Sequence, residues 1–160
     1  MEGCKAVKTP IGAHFKLSLQ DSPKTEHEER YMSSVPYANV VGSMMYLMVC
    51  TRPDLAYAVS VVSRYLSCPG KNHWEAVKWI LRYLKGTQDW GLVFGDNASD
   101  QERVVGFVDA DFAKDPDKGR LVTGYMFKIL GNVVSWKSQL QHIVALSTTE
   151  SEYVALTLKL

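Results

Sequence analysis

The sequence predicts an α/β chain: a three-helix segment, then an antiparallel three-strand meander and a first helix packed on it. Three observations predict this. Apolar residues recur at helical spacing through residues 36–85. Extended runs then succeed one another from Val104 to Leu146. The cluster STTE at 147–150 closes that region with the spacing that opens a helix. The expected organisation is an irregular leader at 1–34, a helical connection segment at 35–95 and a sheet-bearing domain at 96–160.

Composition sets the outer bounds. A chain of 160 residues with 46% hydrophobic and 22% charged residues is globular in kind, and one of this size buries roughly 70% of its extended-chain surface. The formal net charge of +1 makes any basic patch local. Cys4, Cys50 and Cys68 have no paired spacing, which points to a reducing compartment and no zinc site. The N-terminal MEGCKAVKTP has no apolar core segment of the signal-peptide type. The uncharged run Val35–Thr51 is interrupted by Pro36, Asn39, Gly42 and Ser43. It falls short of the ~20 apolar residues a bilayer span requires. The expectation is a soluble, intracellular chain without membrane contact.

In order, the leader is punctuated by Pro10, Gly12 and Pro23, and KTEHEER reads as a solvated charge cluster, like the tail of a preceding domain. A first helix follows Pro36, with Tyr37, Val40, Val41, Met44, Met45 and Met48 on its stripe. The methionines suit a core, or an adaptable binding surface. A second helix is expected from a Thr51 cap to Leu66, stopped by Pro69 and Gly70. A third, about Asn72–Lys85, carries Trp74, Val77, Ile80, Leu81 and Leu84 on one side, with Gly86 as its stop. GLVFG at 91–95 reads as a short strand, and DNASDQ as a polar boundary loop. VVGFVD, apolar on both faces, reads as a buried central strand. GYMFKIL, a turn at Gly131–Asn132, VVSWKSQ and finally HIVAL complete the meander, before a helix over about 149–158.

Two carboxylates carry the candidate chemistry. Asp109 ends an apolar strand and Glu150 lies in the first turn of the last helix. Carboxylates so placed are hard-oxygen donors for magnesium, and phosphodiester cleavage uses such donors to hold metal against phosphate. Each has a plainer reading. Asp109 is also a turn residue, with Asp111, Asp115 and Asp117 as solvated neighbours. Ser147–Glu150 and Thr149–Glu152 both have capping-box spacing. On the third helix Lys78, Arg82 and Lys85 share a face beside Trp79, which suits phosphate contact and base stacking, or simply a solvated ridge. His142 and His73 read as structural, and no nucleophilic triad or phosphate-binding glycine loop occurs.

Three long blocks carry a family resemblance: VPYANVVGSMMYLMVCTRPDLAYAVSVVSRYLSCPGKNHWEAVKWILRYLKGT, FVDADFAKDPDKGRLVTGY and VSWKSQLQHIVALSTTESEYVAL. Together they resemble the Pol polyprotein of Ty1/copia-type LTR retrotransposons, where the end of reverse transcriptase meets the ribonuclease H domain. The resemblance implies an incomplete RNase H-like fold after the helical segment. It also implies that Asp109, in FVDAD, and Glu150, in STTESEY, are metal ligands, with Mg2+ as cofactor. The ancestral activity would be cleavage of RNA in RNA–DNA hybrids, beside the reverse transcriptase portion of the same polyprotein. Phe112 stands where the family commonly has tryptophan. The DNQSA-like segment and the later acidic residue of the family are absent from these 160 residues. The isolated chain is therefore expected to be inactive, with an unpaired edge beside VVGFV.

Two other classes of function remain open. The same segment resembles secreted RxLR-type effectors of oomycete plant pathogens, which act on host cell death. This sequence has RYLS at Arg64 and RYLK at Arg82, but no RxLR string. A third reading is a domesticated or incidental fragment that acts by binding, through its helices or its open sheet edge.

Overall fold

The computed structural model describes residues 3–95, 104–111 and 115–157. The chain divides into two compact units, Met1–Trp90 and Gly91–Leu160. DNASDQ and Phe112 lie outside the described residues, as does the end of the expected last helix at Leu158.

The first unit is helical. α1 spans Glu26–Ser33, α2 Tyr37–Cys50, α3 Ala56–Val62 and α4 Lys71–Gly86. Its core gathers one face from each of three helices: Tyr37, Val41 and Met44 from α2, Val59 and Val62 from α3, and Val77 and Ile80 from α4. Burying each such aliphatic side chain contributes about 1.5–3 kcal/mol before conformational entropy is counted. Tyr37 also places its hydroxyl on the Val62 carbonyl at 2.8 Å, so its ring is buried without stranding a polar atom.

The leader departs from expectation. KTEHEER is solvated as expected, but it is not irregular: it opens α1 with a reciprocal cap. Thr25 Oγ1 accepts the Glu28 N–H at 3.3 Å, and Glu28 Oε2 accepts the Thr25 N–H at 3.3 Å and the Lys24 N–H at 2.9 Å. Upstream, Leu17 joins the core of the unit. Its carbonyl accepts the buried Tyr65 hydroxyl at 2.8 Å. Tyr65 stacks on His73, with ring centroids 4.0 Å apart. His73 is fully buried in the first turn of α4. Its Nδ1 accepts the Gly70 N–H at 2.9 Å and its Nε2 lies 3.0 Å from the Ser18 carbonyl. These contacts fit the neutral ring protonated at Nε2. Gly70 itself is required, because a Cβ there would lie 1.7 Å from the Asp21 carbonyl oxygen.

The helix expected over 51–66 is broken into three: a 3-10 turn at Pro53–Leu55, α3, and a second 3-10 turn at Ser63–Tyr65. Two serines act at the break. Ser60 Oγ donates to the Tyr57 carbonyl at 2.8 Å and Ser63 Oγ to the Ser60 carbonyl at 3.0 Å. Such local bonds compete with the regular ladder and tighten it.

The second unit is a meander, β1 Val104–Asp111, β2 Val122–Ile129 and β3 Asn132–Leu140, followed by α5 Thr148–Thr157. The sheet order is β1-β2-β3, antiparallel throughout. Among the described residues VVGFVD is the edge strand expected from an incomplete sheet and not the buried central strand its composition suggests, with Val104 and Phe107 about half exposed or more. GLVFG forms no strand, although Gly95 and Asn132 exchange two hydrogen bonds at 3.0 and 2.9 Å. HIVAL is likewise no strand. Ala145 is buried in it while Ile143, Val144 and Leu146 face outward, and it serves as the bend between β3 and α5.

The β2–β3 turn lies one residue earlier than expected. Ile129 pairs with Asn132, so Leu130 and Gly131 form the two-residue loop, at φ 48 and 78. Positive φ at both positions is the type I′ signature. The tight end of the unit is a polar knot. Fully buried Gln141 donates from Nε2 to Thr123 Oγ1 and to the Ser151 carbonyl, both at 2.9 Å, and so ties the sheet to α5.

Candidate functional site

Asp109 lies near the end of β1, opposite Gly124 on β2, and is solvent-exposed. Glu150 lies in the first turn of α5. α5 packs against β1, so the two elements that carry these carboxylates are neighbours. Glu150 is already partly engaged. Its Oε2 accepts the Leu146 N–H at 2.7 Å, and its own N–H donates to Ser147 Oγ at 3.1 Å. The Ser147 half of the capping box read from the sequence is present, while the Glu150 carboxylate reaches past Ser147 to the N–H of Leu146.

Asp115 differs from expectation. It is buried rather than solvated, and it builds the β1–β2 connection. Its Oδ2 accepts the Lys118 N–H at 2.9 Å, its carbonyl accepts the Gly119 N–H at 2.8 Å, and its N–H donates to the Arg120 carbonyl at 2.8 Å. An Asp that folds a turn around itself has little left for a metal. Asp117, two residues on, is exposed.

The donor set bears on magnesium directly. Among the described residues no group of three or more His, Cys, Asp or Glu side chains is arranged to hold a metal ion. Asp109 and Glu150 are hard-oxygen donors of the kind magnesium takes alongside its own waters. They do not make up a two-metal centre, which needs more converging carboxylates.

The basic ridge of α4 meets carbonyls of the leader. Arg82 Nε donates to the Lys5 carbonyl at 2.8 Å, Lys85 Nζ to the Cys4 carbonyl at 3.2 Å and Trp79 Nε1 to the Thr9 carbonyl at 3.0 Å. Lys78 pairs with Glu75 one turn earlier. The leader therefore engages part of a face that the sequence alone left either to phosphates or to solvent, and Lys85 stays exposed. Periodicity within a helix assigns residues to a side, and it cannot report that a remote segment lies there.

A buried ionic network was also missed. Arg52, nearly fully buried, forks onto Asp54 with Nε–Oδ1 3.0 Å and Nη2–Oδ2 2.8 Å. It also donates to the carbonyl and hydroxyl of Thr87 at 3.0 and 2.7 Å, and Tyr83 donates its hydroxyl to Asp54 Oδ2 at 2.8 Å. Burial pushes the Asp54 carboxyl up, but the bonds from Arg52 and Tyr83 outweigh it and hold the group below the ordinary carboxylate range. The network locks the start of α3 to the end of α4. The Thr51–Asp54 spacing, read as a helix cap, was its only trace in the sequence.

A helical segment followed by a three-strand sheet and a helix, with acidic residues on neighbouring elements, defines a two-unit α/β protein with a candidate acidic site. No family model and no solved structure matches the chain. Curated relatives do. The chain is 54% identical over 157 residues to the Retrovirus-related Pol polyprotein from transposon TNT 1-94 of Nicotiana tabacum, covering 98% of this chain and 12% of that protein. It is 38% identical over 151 residues to the Retrovirus-related Pol polyprotein from transposon RE2 of Arabidopsis thaliana, covering 93% of this chain and 10% of that protein. It is also 51% identical over 126 residues to Secreted RxLR effector protein 161 of Plasmopara viticola, covering 79% of this chain and 87% of that protein. The chain belongs to the family of Ty1/copia-type Pol polyproteins and their fragments. It spans about a tenth of the length of the Pol relatives it matches. No helix among the described residues is long and apolar enough to cross a membrane.

Proposed function

We propose that this chain is a copia-type Pol segment whose second unit is the leading part of an RNase H-like domain. Its ancestral task is cleavage of RNA in RNA–DNA hybrids. The observation that carries this reading is the packing of α5 against β1, which makes neighbours of the strand bearing Asp109 and the helix bearing Glu150. Magnesium, when bound, supplies positive charge at a scissile phosphate. Asp109 and the free oxygen of Glu150 hold that charge, and the Leu146–Glu150 cap limits the rotamers Glu150 can take. Two donors hold magnesium weakly, so the isolated chain binds the ion without useful turnover. The test is incubation of the purified 160-residue protein with an RNA–DNA hybrid and magnesium. The expected result is no cleavage above that of Asp109→Asn. Robust cleavage that disappears in Asp109→Asn would overturn the claim of inactivity while upholding the site.

A second reading has its own support. The chain covers 87% of the Plasmopara viticola effector against 12% of the TNT 1-94 polyprotein. A free-standing secreted product is the alternative, and it is separated by expression of the tagged chain from its own start codon. Recovery from the culture medium favours it, and recovery from cells alone counts against it.

A further inference from the structure

We infer, resting on the reading of Asp109 and Glu150 as metal donors, that Gln141 is the positioning residue of the candidate site. It holds the start of α5, and with it Glu150, against the strand pair that carries Asp109. Gln141 is the first residue beyond β3 and is fully buried. Its backbone N–H donates to the Leu121 carbonyl at 2.8 Å, just ahead of β2. Its Nε2 donates twice at 2.9 Å, to Thr123 Oγ1 within β2 and to the Ser151 carbonyl in α5. Each of these contacts falls beside a support of the site. Thr123 precedes Gly124, which pairs with Asp109, and Ser151 follows Glu150. One amide group thus joins the β1–β2 ladder that fixes the Asp109 backbone to the helix turn that carries Glu150.

The chemistry of the amide favours this role over plain packing. The Ser151 carbonyl can only accept, so the Gln141 NH2 must face it and the orientation of the amide is set. Thr123 Oγ1 takes the second N–H, and both donors are spent. Oε1 is then left buried, with no hydrogen-bond partner among the described residues. A buried acceptor left unpaired is a cost. Methionine has nearly the same shape and leaves none, so filling the space does not call for glutamine. What glutamine adds is two directed bonds to two different elements. The Glu150 and Ser151 N–H groups bond locally, to Ser147 Oγ and to the Ser147 carbonyl, both at 3.1 Å. Those bonds hold the turn to itself, and Gln141 holds the turn to the sheet.

The test uses the whole 160-residue protein and two readouts, one of them free of metal. Gln141→Met removes both N–H donors at nearly constant volume. Amide hydrogen exchange without metal is expected to show Glu150 and Ser151 losing protection about fivefold or more, the worth of one or two net hydrogen bonds. Amides beside the Leu130–Gly131 turn, at the far end of the sheet, keep the parental value. Manganese affinity, from water-proton relaxation, is expected to fall about threefold or more. That is less than the roughly 10–100-fold lost when a group bonded directly to a metal ligand is removed. Thr123→Val takes away one acceptor and leaves the Ser151 bond. It is expected to move both readouts the same way by less, and it decides if Gln141→Met does not fold. Three results would overturn the inference: parental protection at Glu150 and Ser151 in the folded variant, an equal loss across strands and helix alike, or a local loss that leaves manganese affinity unchanged. Local loss with no manganese bound by the parent protein would uphold Gln141 as the clamp and sink the magnesium reading instead.

Discussion

The Glu150 carboxylate accepts the Leu146 N–H at 2.7 Å, so the side chain proposed to hold metal also closes the start of its own helix. Two substitutions separate these roles. Glu150→Gln keeps an acceptor at the same reach, and capping boxes take either residue. Its stability is expected to stay within about 0.5 kcal/mol of the parent. Glu150→Ala removes the acceptor and is expected to lose about 1 kcal/mol. Both remove the charge, so both should weaken binding of manganese, used as a magnesium probe, measured by water-proton relaxation. Parental manganese affinity in Glu150→Gln would leave Glu150 a cap and nothing more.

Asp109 makes the contrasting case. It is exposed on the edge strand opposite Gly124, and among the described residues no hydrogen bond or ion pair engages its carboxylate. Asp109→Asn should therefore leave the denaturant midpoint within about 0.5 kcal/mol of the parent. The same variant should weaken manganese binding as strongly as Glu150→Gln does. Loss of stability without loss of manganese would reverse the assignment, making Asp109 structural.

In the first unit, Asp54 ties acid stability to the Arg52 network. Its carboxyl is held below its ordinary value in the folded state. The contribution is therefore fully present above the unfolded carboxylate pKa of about 3.9. It is lost as pH falls through the depressed folded value. Urea melts should show stability falling below about pH 4 by this route, and Asp54→Asn should flatten that part of the profile. At neutral pH Asp54→Ala strands the nearly buried Arg52 guanidinium. The expected cost is about 2–4 kcal/mol, kept below the fully buried case because Asp54 retains some exposure. An unchanged acid limb in Asp54→Asn would assign the acid sensitivity to other groups.

The leader offers a test of integration. Leu17 is buried in the first core, and its carbonyl receives the Tyr65 hydroxyl. Leu17→Ala should cost about 2–4 kcal/mol, as for other buried leucines. A loosely attached tail would give a change under about 0.5 kcal/mol. Thermal melts of the 160-residue protein distinguish the two.

The sequence was most informative where one element's own periodicity decides the outcome. α2 and α4 appear close to their expected limits because Tyr37, Val41, Met44, Val77 and Ile80 repeat at helical spacing and all reach the core. It was least informative where a distant partner decides. α1 carries a legible Thr25–Glu28 cap, yet its segment reads as irregular because its exposed charges give little apolar periodicity. The leader's carbonyls on Arg82, Lys85 and Trp79 come from residues about 70–80 positions away, and no local pattern encodes them. VVGFVD has the composition of a central strand, but composition does not supply a neighbour, and it is an edge among the described residues. The two carboxylates of the candidate site were legible as residues. Their unequal engagement, with Glu150 capping and Asp109 exposed, was not.

The β2–β3 turn shows the same limit at one-residue resolution and can be improved by design. Gly131–Asn132 reads as a hairpin signal in reverse order, but the pairing of Ile129 with Asn132 makes Leu130 and Gly131 the loop. Leu130 then sits at φ 48, a left-handed conformation that costs an L residue about 1–2 kcal/mol. The Asn132 side chain holds it there by donating to the Leu130 carbonyl at 3.0 Å. Leu130 is half exposed, so it returns little apolar burial for that strain. Leu130→Asn creates the Asn-Gly pair that type I′ turns favour and should stabilise the second unit by about 1 kcal/mol. Leu130→Val places a β-branched side chain at positive φ and should destabilise it by a similar amount. Amide hydrogen exchange across β2 and β3 reads both changes, with protection raised about fivefold in the first and lowered in the second. Equal protection in both variants would mean that the turn carries no strain and that Asn132 alone sets its register.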